Sequence, residues 1–262
     1  MQIDLKNKNA LVCGSTQGIG KASALALAQC GANVTLVARN EQRLMQVKDE
    51  LPNLDGQTHQ FLVADFQNPD ALAETVKKQL NSSTAFHILV NNTGGPPGGD
   101  VFGASLVEFE NAFTQHLKCN HLLAQAVVPG MKAAGFGRII NVISTSVKQP
   151  LDGLGVSNTI RGAVANWSKT LANELGSFGI TVNNVLPGAT ATERLSTIIA
   201  NKAEKTGKST DAISEAMKNS IPAKRFAEPC EVATAIAFLA SDLASYINGI
   251  NLPVDGGRTK SL

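Results

Sequence analysis

The residues of this chain that could do chemistry begin with three glycines. Gly14, Gly18 and Gly20 punctuate the turn CGSTQGIG, between the short apolar run NALVC and the small-residue stretch KASALALAQC. An apolar strand that passes through such a turn into a helix is a phosphate-binding device. Without Cβ atoms in the way, backbone N–H groups and the positive end of the helix can close on a pyrophosphate. A tight strand-to-helix turn also needs glycine for purely steric reasons, so the turn alone leaves both readings open. The next apolar run ends at Ala38-Arg39-Asn40, where a site for NAD normally places a carboxylate to accept the ribose hydroxyls. Arg39 instead suits a 2′-phosphate, which favours NADP over NAD. The alternative is a solvated Arg39, with neighbouring Glu41 capping a helix or binding ribose itself. Asp65, at the end of a third run, could accept a bond from an adenine amino group or simply form a turn.

These groups need a scaffold that brings strand ends together. Runs rich in Val, Ile and Leu recur at NALVC, ANVTLVA, HQFLVAD, FHILVNN, GRIINVI and GITVNNVL, with helical stretches between them. Continuous apolar runs suit strands covered on both faces, and alternation with helices implies right-handed crossovers and a parallel sheet. The pattern predicts an α/β fold: one doubly wound, Rossmann-like domain over residues 1–262, with a parallel sheet of about seven strands and helices on both faces. Ligands of such sheets bind beyond the carboxyl ends of the strands, so CGSTQGIG, Ala38-Arg39-Asn40, Ala64-Asp65-Phe66 and Asn91-Asn92-Thr93-Gly94-Gly95 should meet in one crevice. A long connection, 189–228, carries two helix-like pieces, TERLSTIIANKAEK and TDAISEAMKNS. It reads as a mobile lid over that crevice or as a plain insertion.

Composition narrows the function classes. The chain has 262 residues, 43% of them hydrophobic, and a formal charge of +2 from 23 basic and 21 acidic residues with no dense basic run. No nucleic-acid partner is expected. No apolar stretch approaches the roughly 20 residues that cross a bilayer, and the start MQIDLKNKNA is too polar for a secretory signal, so no membrane partner and a cytoplasmic location are expected. Cys13, Cys30, Cys119 and Cys230 stand apart in apolar surroundings and read as buried free thiols. His116 and His121 are five apart and share no helical face, so no metal site is expected.

Taken together, CGSTQGIG, Asp65, NNTG, VNNVLPGATAT and the closing YINGINLPVDGG resemble the short-chain dehydrogenase/reductase family over nearly the whole chain. The chain looks most like the family's 3-oxoacyl-carrier-protein reductase branch. The resemblance implies cofactor contacts from Gly14, Ser15, Gln17, Gly18, Ile19, Gly20, Asp65, Phe66, Asn92 and Thr190, beside the Arg39-Asn40 strand end. It also implies a homotetramer or homodimer built on the long helices after the fourth and fifth strands. The family's chemistry rests on Asn, Ser, Tyr and Lys, and Ser144 in RIINVISTS matches the serine. The family's YxASKAAV helix aligns with SNTIRGAV, which puts Ser157 at the tyrosine position and Arg161 at the lysine position. The asparagine position falls on His116. The only tyrosine of the chain, Tyr246, belongs to the C-terminal motif.

That departure changes the chemistry. The family's phenol, drawn down by its lysine, trades a proton with the substrate oxygen near neutral pH. Ser157 is a far weaker acid with a shorter reach, and Arg161 can bond the nicotinamide ribose and supply charge but cannot pass a proton along. A reductase built this way needs another donor. His116 acting through a water is the first candidate because imidazole titrates near neutrality, with a packing role as its alternative. Ser144 could donate to the substrate oxygen or satisfy a backbone end; Lys148 and Asp152 are weaker candidates. The leading expectation is an atypical reductase that moves a hydride from NADPH to a small carbonyl substrate, uncharged or mildly anionic, bordered by the loop TGGPPGGDVFG. The alternative is an NADP(H)-binding protein without turnover, a sensor or partner subunit. Non-redox chemistry ranks last.

Overall fold

The computed structural model describes residues 2–54, 56–82 and 85–261. Its strands are β1 (Asn9–Cys13), β2 (Asn33–Ala38), β3 (Gln60–Val63), β4 (Ile88–Asn91), β5 (Gly137–Val142), β6 (Ile180–Pro187) and β7 (Asn251–Val254). All run parallel in one sheet of order β3-β2-β1-β4-β5-β6-β7. The six apolar runs of the sequence are β1 to β6, and the seventh strand comes from NLPV in the closing motif. Pro253 is tolerated in β7 because an edge strand has one side free of ladder partners.

Alternation along each strand divides the core in two. Ala10, Val12, Val34 and Leu36 face one layer, formed by α1 (Gly18–Gln29), α2 (Glu41–Glu50) and α9 (Pro229–Ala240). Leu11, Cys13, Val37 and Leu89 face the other, formed by α3 (Pro69–Ser82), α5 (Cys119–Ala134) and α6 (Gly155–Leu175). Helix α4 (Leu106–Phe113) starts at a Ser105/Glu108 capping box and runs into α5 through a wide π-helical turn, Thr114–Lys118. The connection 189–228 forms two helices, α7 (Glu193–Thr206) and α8 (Thr210–Asn219), with a small core of Leu195, Ile199, Met217, Ile221 and Phe226. Strand order reverses between β1 and β4, which opens a crevice at their carboxyl ends.

A buried asparagine ladder ties the sheet together just below that crevice. Asn91, Asn141, Asn184 and Asn251 lie side by side in register on β4, β5, β6 and β7. Asn91 Nδ2 donates to Asn141 Oδ1 at 2.8 Å, Asn141 Nδ2 to Asn184 Oδ1 at 3.0 Å and to Ser168 Oγ at 3.1 Å, and Asn184 Nδ2 to Asn251 Oδ1 at 2.8 Å. A slip of one residue would throw each asparagine to the opposite face, so the ladder permits one register only.

One sequence reading needs adjustment. Cys13 and Cys119 are buried, but Cys30 is half-buried and Cys230 is exposed on the polar first turn of α9, so the apolar setting expected of all four holds for two. Among the described residues, no three His, Cys, Asp or Glu side chains gather as metal ligands, and no helix is long and apolar enough to cross a membrane.

Replacing Asn141 by leucine strands Asn91 Nδ2, Asn184 Oδ1 and Ser168 Oγ inside the protein. The unfolding free energy in urea should fall by about 2 to 4 kcal/mol, and Asn251→Ala at the sheet edge should cost clearly less.

Candidate active site

Gly14 and Gly18 hold positive φ angles of 59° and 54°, a conformation that side chains resist. A Cβ on Gly14 would strike the backbone of Asn92, and one on Gly20 would run into the Gly14 carbonyl. Asn92 fastens this turn to β4, its Nδ2 donating to Cys13 O at 3.3 Å and Gly14 O at 3.2 Å. Ser15 is fully buried and fastens it to β2, its hydroxyl accepting from Val37 N at 3.1 Å. These residues shape the turn, whose backbone N–H groups could meet a ligand. The side chain of Gln17, the residue that starts α1, makes no capping bond, so the first amides of the helix stay open to an anion. A pyrophosphate fits this arrangement. Ile19 is half-buried against the α1 layer, where its contribution is backbone geometry.

At the end of β2 the Gln17 side chain meets a residue that the sequence reading passed over. Arg43 Nη1 donates to Gln17 Oε1 at 2.8 Å. Arg39 is exposed and forms no ion pair among the described residues. Arg39 directly follows β2 and Arg43 lies in the first turn of α2, and guanidinium chemistry suits a 2′-phosphate. Asn40 is used locally, its Oδ1 capping α2 through Arg43 N at 3.0 Å. At the end of β3, Asp65 Oδ1 accepts from Gln67 N at 3.0 Å, and Phe66 is buried with its carbonyl accepting from Cys119 Sγ. Thr190 is buried and donates to Gly188 O at 3.2 Å, so its side chain serves its own loop. Thr192, which caps α7, places its methyl group opposite Gly18. The spacing of VNNVLPGATAT already pointed to it, since the motif's closing threonine falls five residues past Pro187.

The residues aligned with the family's catalytic set gather at the ends of β4 and β5. Ser144 follows β5, half-buried, its Oγ accepting from Ser146 N at 3.1 Å. Arg161 is 8% exposed and donates from Nη1 to Val142 O at 2.9 Å. Ser157 lies one helical turn before it, buried, with no hydrogen bond to the described residues. His116 sits on the π-helical turn, 2% exposed, and its Nδ1 shares a 2.6 Å hydrogen bond with Thr93 Oγ1 beyond β4. Such wide turns displace a side chain from the regular helical register, and they recur at functional sites. Asp152 and Tyr246 are exposed to solvent.

One further residue reaches this place unannounced by the sequence. Arg194, in the first turn of α7, donates from Nη2 to Pro96 O at 2.7 Å and packs its guanidinium where a Cβ on Gly95 would stand. The residue as a whole is exposed, yet its charged head is seated on the TGGPPGG loop.

The electrostatics correct one expectation. Burial, reinforced by the charges of Arg161 and Arg194, drives the His116 pKa from 6.5 down to about 2. The imidazole is neutral at physiological pH, so the near-neutral titration that made it the first candidate proton donor does not hold. Burial and the neighbouring Arg194 lower the Arg161 pKa to about 10, which still leaves it charged at pH 7.

His116 takes up a proton readily when the chain unfolds and hardly at all when it is folded. Its contribution to stability is therefore complete above pH 6.5 and is lost as pH falls from there toward about 2, at up to about 1.4 kcal/mol per pH unit. Comparing urea unfolding at pH 7 and pH 5, His116→Gln should shrink the acid-induced loss by about 1 to 2 kcal/mol. The remaining slope includes His87, whose pKa is lowered by burial and by Lys8.

Known proteins match nearly the whole chain. The family model described as enoyl-(acyl carrier protein) reductase matches residues 14–259. The NADPH-dependent reductase BacG of Bacillus subtilis (strain 168) is 32% identical over 261 residues, 98% of this chain and 100% of that protein. The 3-oxoacyl-[acyl-carrier-protein] reductase FabG of Staphylococcus epidermidis is 32% identical over 254 residues, 96% of this chain and 98% of that protein. The crystal structure of L-sorbose reductase from Gluconobacter frateurii, complexed with NADPH and L-sorbose, matches with a TM-score of 0.93 at 31% identity and covers 100% of both chains.

Proposed function

The chain belongs to the short-chain dehydrogenase/reductase family, and from that premise we propose that it is an NADPH-dependent reductase of a small carbonyl substrate that works without the family's tyrosine. The observation that carries this reading is the division of the crevice. Its β1–β2 end offers open amides with Arg39 and Arg43, and its β4–β5 end offers Ser144 and a charged Arg161. NADPH, when bound, supplies the hydride. Ser144 turns its hydroxyl to the substrate oxygen, and Arg161 holds positive charge near the oxyanion that develops there. Neutral His116 fixes Thr93 at the crevice wall and does not serve as an imidazolium acid. Water then delivers the proton. Losing a positioned acid costs ~10² to 10⁴ in rate, but hydride transfer survives because the proximity of donor and carbonyl is kept.

The α7–α8 segment serves as the lid in this reading, with Arg194 fastening it to the TGGPPGG loop. Leu106, Val107 and Phe113 expose apolar surface along α4, which supports a homodimer or homotetramer built on that helix. A second reading, an NADP(H)-binding protein without turnover, draws support from Ser157, a buried hydroxyl with no acidic strength where the family has its phenol.

In a fluorescence titration the wild-type chain should bind NADPH in preference to NADH. The double change Arg39→Ala with Arg43→Ala should raise the NADPH dissociation constant ~10 to 100-fold and leave NADH almost unaffected. A wild-type preference for NADH would overturn the assignment of the two arginines. Turnover is checked with a carbonyl panel under excess NADPH. Ser157→Tyr with Arg161→Lys should raise the rate by up to ~10²-fold, whereas a panel on which the wild type oxidises no NADPH favours the binding-protein reading.

A further inference from the structure

Two positive charges converge where β4 and β5 end, and none of the described residues neutralises them. Arg161 bonds Val142 O at the end of β5, and Arg194 bonds Pro96 O in the loop that leaves β4. His116 lies close enough to feel both. No carboxylate among the described residues pairs with either arginine, and the adjacent Glu193 and nearby Asp152 face solvent. Apart from the bond to Val142 O, the N–H groups of Arg161 find no acceptor in the described protein. Burying a guanidinium without a counter-ion is costly, and setting a second beside it adds repulsion. An anion held between the two would relieve both costs.

The cofactor's own anions have places elsewhere. Its pyrophosphate belongs to the amides of α1 and its 2′-phosphate to Arg39 and Arg43, at the other end of the crevice, while the nicotinamide ribose is uncharged. The leftover charge therefore faces the substrate. Resting on the reductase reading, we propose that the substrate is a small oxo-carboxylate whose carboxylate is held by Arg161 and Arg194. A guanidinium presents paired N–H groups that match the two oxygens of a carboxylate, which an ammonium does not. With the carboxylate anchored there, the ketone oxygen falls to Ser144, and Arg161 lies between the two oxygens' positions so that its charge serves both. The hydride leaves the nicotinamide ring and forms a C–H bond at the carbonyl carbon, the C=O π pair moves onto oxygen, and that oxygen takes one proton from water. The products are a hydroxycarboxylate, NADP⁺ and the hydroxide left by that water.

The test is calorimetric titration of acetoacetate, 2-oxobutyrate and levulinate, each against its methyl ester, into the full chain saturated with NADP⁺, which cannot reduce them. At least one acid should bind ~10-fold or more tightly than its ester, and Arg194→Gln should abolish the difference in a variant that NADPH still saturates. Equal binding of acids and esters, no binding of any acid, or a preference that survives Arg194→Gln would overturn the proposal. So would an acid that binds only the cofactor-free chain and is displaced by NADP⁺, since the arginines would then serve the cofactor's phosphates. Failure of NADPH itself to bind in the fluorescence titration would instead remove the reductase reading on which the proposal rests.

Discussion

The geometry of the crevice depends on the register of the parallel sheet, and the asparagine ladder is what fixes that register beneath it. Parallel strands joined by long crossovers have no tight turn to set their alignment, and an apolar face packs almost equally well after a shift of two residues. Four amide side chains bonded in a row remove that freedom, because a shifted ladder would leave buried donors and acceptors unpaired. The residues that follow the rungs are the ones that line the site. Asn92 and Thr93 come after Asn91, Ser144 comes shortly after Asn141, and the segment leading to Thr192 and Arg194 continues from the strand of Asn184. The Oδ1 atom of Asn91 is buried with no partner among the described residues, at the ladder's inner end next to β1.

Above the ladder the site is organised by charge in place of a titrating acid. The family's phenol and lysine form a proton-transfer pair, and in the proposed reading the two positions hold Ser157 and Arg161. Arg194, reaching in from α7, adds to the charge of Arg161. The combined field together with burial keeps His116 neutral, so the one side chain with an ordinary pKa near 7 at this place becomes a fixed hydrogen-bonding partner of Thr93. Stabilising a developing oxyanion needs only fixed positive charge and a donor hydroxyl, and both are present.

Much of this was legible from the residues in order. Six strands could be placed because continuous Val, Ile and Leu runs encode burial on both faces. The glycine turn could be placed because positive φ and close backbone approach exclude side chains at Gly14 and Gly20. Arg39 stood out for the same reason, as the wrong charge type for a bare ribose. The chain's single tyrosine, Tyr246, could be placed in the C-terminal motif, and it is fully exposed. These are local properties: periodicity, backbone conformation and the chemistry of a residue at a known strand end.

What the order of residues left open was which distant side chains share a space. Arg43 meets Gln17, Arg194 meets Gly95 and His116 meets Thr93 across separations of 26, 99 and 23 residues, and each meeting depends on where a helix lands after the sheet has closed. The His116 pKa could not be read from the sequence for the same reason, because desolvation and the field of two arginines exist only once the chain is packed. The sequence by itself determined the fold and the glycine turn, since each follows from the identity of a residue and its near neighbours. Tertiary structure alone decided that the imidazole is neutral and that Arg161 and Arg194 have no carboxylate partner among the described residues, because Coulomb interactions and burial depend on distances through space.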